Sequence, residues 1–150
     1  MASSFISFRE NGFWINDNIM NITLHFLGET VNKIEEKPEW LKEFNEKIIY
    51  NSQGYQRSFM DFGMDDYLID KDRIKLFTEE ILIECMKNLL DKGNEISADE
   101  LNSFIVNENI QSEWDKPIKV SRIINVLKWL KGLSIGVVRV KDSDYIYYKF

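Results

Sequence analysis

The 150-residue chain has one cysteine, one histidine, two prolines and seven glycines. A single thiol excludes an internal disulfide. Cys85 lies in an apolar helical run and reads as a small buried hydrophobe of a reducing compartment. His25 has no cysteine or carboxylate at a spacing suited to metal, so no metal site is expected, and a Cys–His pair has no local signature. The glycines form neither GxGxxG nor GxxxxGK[ST], which removes the phosphate-cradling loops; no cofactor is expected. No run approaches the roughly 18 apolar residues that span a bilayer. The opening MASSFISFRENGFW lacks the charged start, apolar run and cleavage site of a leader. A cytoplasmic, non-enzymatic protein without membrane contact is the expectation.

Apolar matter is plentiful: 44% of residues are hydrophobic and 13% aromatic, enough for a packed core. No repeat or low-complexity tract divides the chain. One domain over residues 1–150 is expected, with a sub-boundary near Gly93. Phe5–Phe8 reads as a short strand or arm. Asn16 or Asp17 caps a helix with Ile19, Met20, Thr23, Leu24, Phe26 and Leu27 at helical spacing. Pro38 and Glu39 open a second helix with Leu41, Phe44, Ile48 and Ile49 inward. Ser58–Leu68 is ambiguous, because Gly63 weakens a short helical pattern. Asp70 caps the strongest helix, which buries Phe77, Ile81, Leu82, Cys85, Leu89 and Leu90 and stops at Gly93. Ser97-Ala98-Asp99-Glu100 has the spacing of a capping box.

After a polar loop with Trp114 and Pro117, a helix over about residues 119–131 is followed by two β-prone runs, Ile135–Val140 and Tyr145–Phe150, around Lys141-Asp142-Ser143-Asp144. These imply a mainly α fold with minor β: five to six helices and a C-terminal hairpin. Residues 94–150 are expected to form a helix–helix–hairpin unit.

Charge is unevenly spread. Residues 116–150 hold eight Lys and Arg against Asp142 and Asp144, a net of +6. The chain as a whole is −6, so residues 1–115 carry −12, eleven basic side chains against 23 acidic. Asp61, Asp65, Asp66, Asp70 and Asp72 crowd twelve residues but miss the calcium-loop spacing, and no glutamate closes it. They read as helix caps and a solvated edge, or as a docking surface for a basic protein. Glu36, Glu39, Glu43 and Glu46 recur at spacings of three and four, on one helical face, diluted by Lys33, Lys37, Lys42 and Lys47. With Tyr55, an aromatic near a loop, the expected partner-binding set is Asp61, Asp65, Asp66, Asp70, Asp72, Glu36, Glu39, Glu43 and Tyr55. The competing expectation is self-neutralisation, with Lys128 and Lys131 lying across the Asp61–Asp72 segment.

A small acidic single-domain chain without catalytic groups resembles, as a class, the bacterial immunity proteins that neutralise toxins. That likeness implies a basic partner, such as a nuclease, whose active site is occluded. Gly12-Phe13-Trp14-Ile15-Asn16-Asp17 followed by a helix is also similar to a family of uncharacterised small bacterial proteins that begin GFW-x-x-D, over the first thirty residues and loosely over Asp70–Leu101. It implies no site residue. The other reading comes from residues 78–150, whose order of helices and hairpin resembles winged-helix regulators. It implies nucleic-acid contacts from Lys119, Arg122, Asn125 and Lys128 on the last helix and Arg139 and Lys141 on the wing.

Overall fold

The computed structural model describes residues 2–106 and 114–150. It opens with an antiparallel hairpin, β1 (Ser3–Phe8) and β2 (Asn11–Asn16), joined by Arg9 and Glu10. Both turn residues have positive φ, 51° and 71°, the conformation that lets a two-residue turn match the twist of its strands. Neither is glycine or asparagine, so the turn has an outside support: the Arg9 amide donates to Asp65 Oδ1 at 2.8 Å. Ile6, Phe8, Phe13 and Ile15 are buried. A Cβ at Gly12 would collide with the Ile6 carbonyl oxygen, so only glycine lets the strands approach there.

β2 runs straight into α1 (Asp17–Asn32), capped by Asn16 Oδ1, which accepts from the Asn18 and Ile19 amides. Twelve of its sixteen residues are buried, so α1 is the central helix and is covered from several sides. α2 (Glu39–Ser52) packs along it, and Asn45 Nδ2 donates to Asn32 Oδ1. α3 (Met64–Tyr67) is a single turn. The strongest expected helix forms as α4 (Lys71–Lys75), a π-helical turn at Leu76–Ile81 and α5 (Leu82–Leu90). Asp70 caps it through the Arg73 amide, as its position predicts. Leu90 departs from expectation: it is exposed instead of inward.

Beyond Gly93, β3 (Glu95–Ile96) pairs antiparallel with β4 (Ile118–Lys119), and between them stands α6 (Ala98–Ser103). Only half of the expected capping box is made. Ser97 Oγ accepts from the Glu100 amide, but the Glu100 carboxylate turns to Lys92, 2.8 Å away, because a cation attracts it more than a neutral amide. Part of the loop expected over 107–117 lies outside the described residues. α7 (Val120–Ser134) packs on α1 and α5. One hydrophobic cluster extends from Ile6 to Leu133.

The mainly α class with minor β stands, but the C-terminal hairpin does not form: 135–150 contain no strand. Residues 142–144 make a short 3-10 turn, and Tyr145 takes a positive φ of 52°. Each arm finds a partner elsewhere. Val140 accepts a bond from the Gly12 amide, Tyr147 lies on Trp14, and Tyr148 and Phe150 pack against Trp129. An isolated two-stranded ribbon is marginal in water, whereas these aromatics bury area against a finished core. The wing of the winged-helix layout is therefore missing, although α5, α6 and α7 follow in the expected order.

Candidate functional site

α2 and the chain from Asp61 to Arg73 lie side by side, and a row of contacts fixes their register. Arg73 sits over the Trp40 ring at 4.7 Å, and Phe44 stacks with Tyr67 at 5.4 Å and Phe62 at 6.1 Å. Asn51 Nδ2 donates to the Asp61 carbonyl at 3.1 Å. Residues 40, 44 and 51 thus mark the stripe of α2 that meets this segment. Leu41, Asn45 and Ile48 mark the buried side. At about 100° per residue, Glu39, Glu43, Glu46 and Tyr50 form a third stripe facing water beside the seam. The two acidic stretches therefore come together on adjoining elements. Glu36 does not join the stripe: Pro38 is the N-cap, so Glu36 lies in the preceding loop.

All five aspartates are exposed, yet three of them have structural duties. Asp61 Oδ1 accepts from the Gly63 amide, Asp65 supports the hairpin turn, and Asp70 caps α4. Bonds from neutral amides leave the charge in place. The only ion pair within this group joins Asp70 to Arg73 at 3.9 Å; among the described residues Asp61, Asp65, Asp66 and Asp72 have none. On α2, Glu39 is shared with Lys42 at 3.8 Å, while Glu43 has no ion pair. Self-neutralisation by the basic C-terminal segment fails. Among the described residues Lys128 and Lys131 make no ion pair with the aspartates, and the segment's one bridge to the acidic body there is Lys141–Glu10 at 3.7 Å.

Aromatic rings stand at one end of this face. Tyr50 and Tyr55 stack with centroids 4.6 Å apart, 48% and 51% exposed, and Phe59 is 85% exposed two residues before Asp61. Tyr50 and Phe59 extend the sequence-based set, which held Tyr55 alone. The signal for Phe59 was weak: an apolar residue beside Asp61 reads as core until its exposure is seen.

The basic set divides. Lys119, Arg122, Asn125 and Lys128 gather along one groove on α7, joined by Lys149. Arg139 instead donates to the Gly136 carbonyl and Lys141 reaches Glu10, both away from that groove.

The two groups of thiol and imidazole chemistry serve packing. Burial pushes the Cys85 thiol up to about 12, against the opposing hydrogen bond from Thr30, so it stays protonated. His25 stacks on Phe104 at 3.8 Å, and burial lowers its pKa even though Glu29, at i+4, brings a carboxylate oxygen within 3.3 Å. No group of three His, Cys, Asp or Glu side chains is placed to hold a metal among the described residues, and no helix there is long and apolar enough to cross a membrane. Gly12-Phe13-Trp14-Ile15-Asn16-Asp17 reads as structural in its surroundings. Asp17 is buried, accepting from Ser4 Oγ at 2.6 Å and the Ser58 amide at 2.7 Å, and so ties the hairpin and the 58–60 loop to the start of α1.

Compared with known proteins, the chain matches no family model, no curated protein and no solved structure.

Proposed function

We propose that this chain is a non-enzymatic binding protein that neutralises a basic protein partner, as an immunity protein does a cognate bacterial toxin. The partner's cationic surface, such as the active-site cleft of a nuclease, would lie across the α2 stripe and the Asp61–Asp72 segment. One observation carries the reading: four of the five clustered aspartates face water without an ion pair among the described residues, next to exposed Tyr50, Tyr55 and Phe59. Clustered charge of one sign steers encounter and raises the association rate, most strongly at low salt. The exposed rings supply what charge alone does not, a desolvated anchor that slows dissociation. No proton transfer or covalent step is needed.

The test is growth rescue. The product of the adjacent upstream gene is expressed in cells with and without this chain. Rescue that is lost in the double variant D66K/D72K, and kept in K119E/K128E, supports the reading. Absence of a toxic neighbour, or rescue indifferent to the acidic face, overturns it.

A further inference from the structure

An open groove of about 840 Å³ lies on the outer side of α7, and its charge is opposite to that of the molecule. Lys119, Arg122, Lys128 and Lys149 line it against a single carboxylate, Glu95. Arg122 is committed: its Nε and Nη2 donate to the Phe150 main-chain oxygen at 2.9 and 2.6 Å, which holds Lys149 and Phe150 in place as one wall. The three lysines are exposed and have no ion pair among the described residues. Lys119 and Lys128 are nine residues apart, about 13 Å along the helix axis, so the positive row is long. Ser121 and Asn125 add hydrogen-bonding side chains on the same face, and Ile124 and Leu90 provide an apolar floor.

We propose that this groove binds single-stranded nucleic acid. The three lysines would follow successive phosphates, and the apolar floor of Leu90 and Ile124 would receive the base faces, since single-strand binders pair a positively charged groove with surfaces on which bases lie. A concave groove tracked by a row of lysines suits a flexible single strand better than a rigid duplex. The acidic face does not cancel the groove. α2 and α7 each pack on α1, and among the described residues no ion pair joins the groove lysines to the acidic face. The inference is independent of the proposed inhibition of a basic partner.

The probe is a fluorescein-labelled oligouridylate of twelve nucleotides, read by anisotropy with the full chain. Saturable binding at about 50 mM salt is expected, with a log–log salt slope near −2, about −0.7 for each of three lysines. K119E/K128E/K149E should weaken binding at least about tenfold and flatten that slope. K71E/K75E/K87E, which removes the same charge elsewhere, should leave binding within about twofold. Should the reversed variant fail to fold by circular dichroism, K119Q/K128Q/K149Q carries the same test. No saturable binding overturns the proposal, as does equal loss in both charge variants. Equal displacement by free nucleoside triphosphate at matched phosphate also overturns it, because the groove would then be a small-anion site.

Discussion

The α2 stripe with its neighbouring aspartates and the α7 groove are opposites in more than sign. The acidic face is built from one helix flank and a loop-rich segment, and its rings are exposed. The basic groove is concave, and its wall is made by the chain's last residues, held by Arg122. Negative charge beside exposed rings suits contact with a basic protein surface. Concave charge with a polar helical face suits a flexible strand. The difference teaches that a net charge of −6 describes neither region.

The largest expected effect concerns the core on which both regions rest, where α1, α5 and α7 pack together around Cys85. With the thiol moved from 9.0 to about 12, its thiolate fraction near pH 8 falls by about a thousandfold. Alkylation of the native protein is therefore expected to be about a thousandfold slower than of the urea-unfolded chain. Labelling at the unfolded rate would mean that the core opens.

Charge reversal comes next. Asp66 and Asp72 support no turn or cap, so D66K/D72K should spare the fold while lowering the association rate with a basic partner about tenfold or more at low salt. K119E/K128E/K149E should change that rate by less than about twofold. Equal effects from both, in stopped-flow kinetics, would reduce the contrast to net charge. Tyr55→Ala should act on the other rate constant, speeding dissociation about tenfold, some 1.4 kcal/mol, with association unchanged.

The smallest effect is at His25. Burial lowers its pKa in the fold below 6.5, so an unfolded chain takes up a proton that the native chain does not. Stability from this group is present above about 6.5 and declines as pH falls below it, until the native imidazole also protonates. Phe at position 25 keeps the stacking on Phe104 and should flatten that part of the urea midpoint against pH. An unchanged slope would place the acid sensitivity in the carboxylates.

Helices were the legible part. Asn16, Asp70 and Ser97 each cap where their spacing predicts, because a cap is a local bond between a side chain and an amide two or three residues on. β2 was missed, since Asn11, Gly12 and Asn16 have poor strand propensity and Arg9-Glu10 is an unusual turn pair. The C-terminal runs misled for the converse reason: β-prone residues reported a need for a half-buried surface, which Trp14 and Trp129 supplied. Of the expected partner-binding residues, all but Glu36 lie on the acidic face. The nucleic-acid set lost Arg139 and Lys141 with the missing wing.

By itself the order of residues determined the helical class, the caps and the uneven distribution of charge, all of them properties of neighbours along the chain. Tertiary structure alone decided that two acidic stretches share a face, that the basic segment leaves them unpaired, and that Arg122 and Phe150 close a groove 28 residues apart in sequence. Those outcomes depend on which distant surfaces bury area together, and burial is a property of the assembled core that no local pattern contains.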